Sequence, residues 1–141
     1  MFLLDTNVLS AVMSASPAAE VMAWVSGQPV DLLFTAAVCQ AEILAGVAIM
    51  PEGRRRLALE AAVRAMFQVV FEGRVLPFDA AAAVAYADIF AARRRTGRSA
   101  ATADLMVAAV ARSRGVSVVT RNVADFDGCG VTVVNPWDGE S

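Results

Sequence analysis

The chain has 141 residues, 57% of them hydrophobic, and a formal net charge of −2, with a mean hydropathy of +0.56. All twelve basic residues are Arg; without Lys or His there is no Ser-His-Asp triad, histidine base, Schiff-base lysine or P-loop lysine. Cys39 and Cys129 are unpatterned, which excludes a Cys-rich metal site and suits a reducing compartment, so any catalysis must come from carboxylates, hydroxyls, Arg or a metal.

The chain opens on Phe2-Leu3-Leu4-Asp5-Thr6-Asn7. Three apolar residues predict a strand over 2–4 buried on both faces, as in a parallel sheet. Asp5 then stands at the carboxyl end of that strand, where open α/β sheets hold ligands. It is the only charged side chain in residues 1–19. The N-terminus has no basic stretch and is a poor signal peptide, so a cytoplasmic location is expected. Ser16-Pro17 predicts an N-cap and a first helical position, with a helix carrying Val21, Trp24 and Val25 on one face and stopping at Gly27.

Leu32-Leu33-Phe34 predicts a second buried strand, and Ala36–Met50 a helix. The apolar window from Leu32 to Pro51 is interrupted by Gln40, Glu42 and Gly46. It divides better into a strand and a helix than into one membrane span, so no membrane association is expected. A longer helix runs from about Arg54 to Phe71, closed by Glu72-Gly73. Val75–Phe78 is a short extended piece that Pro77 keeps out of a sheet centre. Asp79 caps a helix to about Arg95, which ends on three Arg and Gly97. Ser99 or Thr102 starts the next helix, ending near Arg114-Gly115. A strand over Val116–Val119, a loop over Thr120–Gly130, a strand over Val131–Val134 and the closing Asn135-Pro136-Trp137 complete the chain. Strands alternating with helices predict one domain over residues 1–141, a three-layer α/β/α sandwich on a mainly parallel sheet.

Three acids stand apart from the arginines and turns that accompany most of the others. Asp5 is one. Glu42 is the only charge between Leu32 and Pro51, and Asp104 the only one between Ser99 and Ala111. Each has an ordinary explanation alone: Asp5 as a strand-end turn residue, Asp104 as a complement to a helix N-terminus, Glu42 as the partner of a buried Arg. Their coincidence in three buried-looking elements points instead to a shared cation. Gathered carboxylates repel one another without one, and carboxylates with waters are the ligand set of Mg²⁺ or Mn²⁺. Asp125 is a candidate fourth acid, just beyond the Val116–Val119 strand. Thr6, Thr120 and Asn122 are candidates to orient the acids or position a phosphate. Arg54–Arg56 and Arg93, Arg94 and Arg98 are candidates for RNA backbone contact, with a solvated helix face or a helix C-terminal charge as the alternative. Met66, Phe67, Phe71 and Phe90 read as core or interface.

Leu3-Leu4-Asp5-Thr6-Asn7, Ala41-Glu42, Gly97-Arg98 leading to Asp104, and Thr120-Arg121-Asn122 through Asp125-Phe126 resemble the PIN-domain ribonuclease toxins of the VapC type. Leu76-Pro77-Phe78-Asp79 and Asn135-Pro136-Trp137 match the FitB-like branch. The resemblance spans essentially the whole chain. It implies an α/β/α fold, Mg²⁺- or Mn²⁺-dependent endoribonuclease activity leaving 5′-phosphate and 3′-hydroxyl ends, a homodimer, and a cognate VapB-type antitoxin. Asp5 and Asp104 match the family's principal metal-binding aspartates, and Glu42 its helix glutamate. The first acidic position of the last motif is Asn122 here, so a fourth carboxylate has to come from Asp125. A non-catalytic binding subunit with the same fold, a metal-dependent phosphatase and a DNA-directed metal nuclease are the competing readings.

Overall fold

The computed structural model describes residues 1–138. Its centre is a five-stranded sheet in the order β3-β2-β1-β4-β5, built from β1 (Phe2–Leu4), β2 (Leu33–Ala36), β3 (Val75–Leu76), β4 (Ser117–Val119) and β5 (Val133–Val134). Every neighbouring pair is parallel, with Leu3 opposite Phe34 on one side and Val118 on the other. Leu3, Leu4, Val118 and Val119 are at most 2% exposed, so the middle strands are covered on both faces, and a continuous apolar run is what such burial demands. β3 lies at an edge, and Pro77, which has no N–H for a ladder, follows it.

The helices are α1 (Thr6–Met13), α2 (Ala19–Ser26), α3 (Ala37–Ala48), α4 (Arg54–Ala65), α5 (Ala80–Arg95) and α6 (Thr102–Arg114). They complete the three-layer α/β/α architecture. α5 packs along α6, and α3 packs on α1, α4 and α6. α4 runs into a π-helical turn over Met66–Val70, matching the long helix expected to Phe71. Asp79 caps α5 by accepting from the Ala82 N–H at 3.0 Å, and α6 stops at Gly115, whose φ of 67° suits a residue without a Cβ.

Several boundaries differ from expectation, β2 among them: it spans Leu33–Ala36 instead of Leu32–Phe34, because Leu32 closes a 3₁₀ turn. α1 is absent from the periodicity reading. Its Val8 and Leu9 are buried, and Asp5 accepts from the Thr6 N–H at its first turn, so tertiary packing and a cap hold a segment of modest helix propensity. α2 begins at Ala19 behind Ala18, with no side-chain cap; Ser16 and Pro17 precede the helix instead of starting it. The last strand is confined to Val133–Val134, the residues that pair with β4. The Thr120–Gly130 loop contains a 3₁₀ turn over Val123–Phe126, pinned by Phe126 at 1% exposure. Among the described residues, no helix is long and apolar enough to cross a membrane.

Leu3 sits at the middle of the sheet with no exposure. Leu3→Ala removes buried methyl groups and leaves a hole that the flanking strands β2 and β4 can only partly close. The expected loss is about 2–5 kcal/mol, read from the urea midpoint; a loss under about 1 kcal/mol would show that this layer relaxes around the hole.

Candidate active site

The strand order reverses between β1 and β4, since β2 and β3 lie on one side of β1 and β5 lies beyond β4. A crevice forms at such a switch point, beyond the strands' carboxyl ends. Asp5 leaves β1 there and Thr120 leaves β4. Both are buried, Asp5 at 3% and Thr120 at 0% exposure. The Asp5 N–H donates to the Val119 carbonyl at 3.0 Å, extending the ladder by one residue.

Asp5 is held by its neighbours from both sides. Oδ1 accepts from the Thr6 N–H at 2.8 Å, and more weakly from the Cys39 thiol at 3.8 Å. Oδ2 accepts from the Thr120 hydroxyl at 2.9 Å. One strong bond per oxygen leaves lone-pair capacity on each for a further partner. Asn7 completes the link: its Nδ2 donates to Thr120 Oγ1 at 3.0 Å, and its Oδ1 accepts from the Arg121 N–H at 3.1 Å. The sequence reading placed Asn7 in the opening motif without giving it a task. A polar side chain two residues beyond Asp5, in otherwise apolar surroundings, was the available signal.

Glu42 comes from α3 and joins the site through Thr6, whose hydroxyl donates to Oε1 at 2.7 Å. Contrary to the buried position expected for it, Glu42 is on the exposed face of α3; the helix turns it toward the crevice and solvent together. Asp104 is in the first turn of α6 and half-buried. Asp125 is half-buried in the 3₁₀ turn that Phe126 anchors. The Asn122 N–H donates to Thr120 Oγ1 at 3.1 Å, which ties the start of this turn to the same hydroxyl that binds Asp5.

The electrostatics join these acids. Burial raises the Asp5 pKa most; the Thr6 N–H and the Thr120 hydroxyl draw it back, and the Glu42 charge pushes it up again. Asp104 is raised to about 6, first by desolvation and then by the charges of Asp5, Asp125 and Glu42. Four carboxylates from separate parts of the chain therefore act on one another. Among the described residues none of the four has a basic side chain within salt-bridge distance. No three acids or thiols form a ready-made metal cage among the described residues, so the acids meet at Coulombic range. Hard oxygen donors with uncompensated negative charge fit a divalent cation such as Mg²⁺, which keeps several of its waters and needs few direct carboxylates. A cleft of about 760 Å³ adjoins the site and reaches it through Thr6 and Glu42; Asp5, Asp104 and Asp125 are not part of its lining.

The arginines divide. Arg94 and Arg98 are exposed, as RNA contact requires. Arg93 is 5% exposed, which corrects its placement among surface contacts: the last turn of α5 points it inward, where it donates to the carbonyls of Asp127 at 2.6 Å and Ser99 at 3.3 Å. Arg56 is engaged with Glu60 at 2.7 Å and with the Met50 carbonyl.

Residues 2–127 match the PIN domain family model. The chain is 37% identical over 138 residues to "VapC ribonuclease Y4jK" of Sinorhizobium fredii, covering 98% of this chain and 99% of that protein. It is 34% identical over 137 residues to "Toxin FitB" of Neisseria gonorrhoeae, covering 97% and 99%. The crystal structure of FitAcB from Neisseria gonorrhoeae superposes with a TM-score of 0.88 at 34% identity, covering 97% of this chain and 99% of that one.

With Asp104 raised from 3.8 to about 6, the metal-free folded state holds that proton more tightly than the unfolded chain does. This contribution to stability is complete at pH below the unfolded value and is lost as pH rises through about 6. Asp104→Asn abolishes the titration. In EDTA the variant is expected to match or exceed the parent in Tm at neutral pH, the difference shrinking toward pH 4. Thermal melts across this range check it; a Tm difference independent of pH would show that Asp104 does not feel the other acids.

Proposed function

The chain belongs to the PIN domain family, and from that premise we propose that it is a Mg²⁺- or Mn²⁺-dependent endoribonuclease, the toxin of a toxin–antitoxin pair acting in the cytoplasm. One observation carries the reading: Asp5, Asp125 and Glu42 lie within Coulombic range of Asp104 beside the sheet's switch point, and their charges add to the desolvation that raises its pKa. The named relatives, a VapC ribonuclease and a toxin, supply the class of reaction and the biological role.

Asp5, Asp104 and Glu42 are the side chains that would hold the cation, directly or through water. A bound divalent ion supplies Lewis acidity, a usable water nucleophile at neutral pH and charge neutralisation at the phosphate. The protein's own part is positioning. The Thr120 hydroxyl and Thr6 N–H fix the Asp5 carboxylate, and the Thr6 hydroxyl fixes Glu42. With neither His nor Lys in the chain, carboxylates and water must carry the protons. Asp125 approaches from the loop side and acts through water. Asn122, on the exposed start of that turn, is placed to meet substrate.

Partner association follows from the same relatives and from the surface. Ile49, Leu57, Val69 and Val84, from the end of α3, α4, the π-helical turn and α5, are 66–85% exposed, apolar area that partner chains would cover. We assign this surface to a homodimer and to a VapB-type antitoxin, with the cleft beside Thr6 and Glu42 as the place where a bound segment would shut the acids off from RNA.

Cleavage of a mixed RNA pool is expected with Mg²⁺ or Mn²⁺ and not in excess EDTA, with a DNA pool run beside it; cleavage unchanged by EDTA would overturn the metal mechanism. Asp5→Asn and Asp104→Asn should abolish cleavage in folded protein. Asp125→Asn should lower it by about 10–100-fold, and Asn122→Asp should tighten Mn²⁺ binding. Equal loss in Asp125→Asn and Asp5→Asn would make Asp125 a direct ligand or an essential base. Light scattering on the order of 10 µM, where weak dimers form, is expected to report a dimer. A monomer that causes no toxicity when expressed would count against the partner assignments.

A further inference from the structure

The Thr120 hydroxyl, at the exit of β4, stands between three polar neighbours. Its oxygen lies 2.9 Å from Asp5 Oδ2, 3.0 Å from Asn7 Nδ2 and 3.1 Å from the Asn122 backbone nitrogen. The two nitrogens can only donate. A hydroxyl oxygen has two lone pairs and one proton, and these two donors occupy both lone pairs. The proton is left with one acceptor, Asp5 Oδ2. Thr120 is fully buried, out of reach of bulk water.

The Asn7 amide has its own direction set from its other end. Its second polar atom lies 3.1 Å from the Arg121 N–H, and only the amide oxygen can accept there. Turning the amide over would set Nδ2 against that N–H, donor against donor, and an oxygen against the Thr120 hydroxyl. Thr120 could then give its proton to Asn7, leaving its oxygen 2.9 Å from Asp5 Oδ2 with no proton between them. Arg121 directly follows Thr120, so backbone, amide and hydroxyl close a ring at the head of α1. Asn7 is the second residue of that helix and half-buried. Its Nδ2 is also 3.5 Å from Asp5 Oδ2, too long for a strong direct bond, so it reaches the acid through Thr120.

We infer that Asn7 is a positioning residue for the acid cluster: it commits the Thr120 proton to Asp5 Oδ2 and so fixes the carboxylate that leaves β1. The benefit to metal binding and cleavage rests on the proposed nuclease; the direction of the proton does not. A carboxylate that takes a divalent ion is oriented by its outer hydrogen-bond partners. A Thr120 hydroxyl free to rotate would spend part of its time with lone pairs toward Asp5, and the carboxylate would lose its hold on that side.

The test begins with the full chain in EDTA. By NMR, the Thr120 hydroxyl proton is expected as a slowly exchanging resonance with cross-relaxation to the Asn7 side-chain amide. Asn7→Asp keeps the shape and the acceptor for Arg121 but presents an oxygen to Thr120, so the hydroxyl resonance should shift as its proton turns away from Asp5. Mn²⁺ affinity is then read by EPR. Asn7→Ala and Thr120→Val should each weaken binding by about tenfold, and the double variant by no more than either, since both remove the same directed proton. Thr120→Ser keeps the hydroxyl and should bind as the parent does. A parent without a protected hydroxyl resonance, a resonance unmoved in Asn7→Asp, unaltered affinity in Asn7→Ala, or additive losses in the double variant would overturn the assignment, the last by making Asn7 a separate contact. Should Asn7→Ala not fold, the resonance in near-isosteric Asn7→Asp decides. Mg²⁺-dependent RNA cleavage by the parent is measured alongside. Cleavage with resonance and affinity unmoved in the variants keeps the nuclease and removes the role of Asn7; the expected shifts without cleavage keep that role and remove the nuclease.

Discussion

A carboxylate buried at the mouth of a parallel sheet has to be solvated by the protein itself, and the hydrogen bond from Thr120 to Asp5 does this across the two central strands. The bond joins the exits of β1 and β4 at 2.9 Å, where the strand order reverses. The Thr6 N–H shares the load on the other oxygen, so one side chain both caps α1 and closes the sheet. Asn7 and the Asn122 N–H converge on the same threonine hydroxyl. If Asp5 moved, the start of α1, the exit of β4 and the turn bearing Asp125 would move with it.

The same constraint explains the charge distribution. Burial already disfavours ionised Asp5, and the Glu42 charge adds to it; desolvation, and then the charges of Asp5, Asp125 and Glu42, raise Asp104 to about 6. A fold that kept only stability in view would place arginines among them. Instead, none of the described arginines is paired with these four acids. Two of the arginines lie beyond the Val123–Phe126 turn, where Arg93 and Arg98 hold Asp127. Within this turn the Asp125 charge acts on Asp104, while Asp127 is fastened to Arg93 of α5 and to Arg98.

Cys39 shows how closely the site is insulated. Its thiol is fully buried beside Asp5 and its pKa is pushed up to about 12, mainly by burial and next by the Asp5 charge. A thiol held that far from ionisation is neither a nucleophile nor a metal ligand at neutral pH; it serves as a weak donor and as packing under the carboxylate.

Local chemistry was enough to locate the strands, the edge position of β3, the Asp79 cap and the three isolated acids. Each follows from a residue and its immediate neighbours: a run of apolar side chains, a proline without an N–H, a carboxylate before a helix, a charge in apolar surroundings. The family resemblance rested on the same short motifs. Three features were out of reach of that reading. α1 has a sequence of modest helix propensity, and Val8 and Leu9 acquire their value only when the sheet is there to bury them. Glu42 reads as buried because its neighbours in sequence are apolar, yet a helix has an outside face, and its position on α3 puts the carboxylate there. Arg93, Arg94 and Arg95 are consecutive and alike as letters. A helix sends successive side chains about 100° apart, so Arg93 enters the interior while Arg94 and Arg95 stay in solvent. The sequence by itself determined which isolated acids, hydroxyls and arginines the protein has. The tertiary structure decided which of them face one another, because direction and burial are properties of packed elements and not of the residues that compose them.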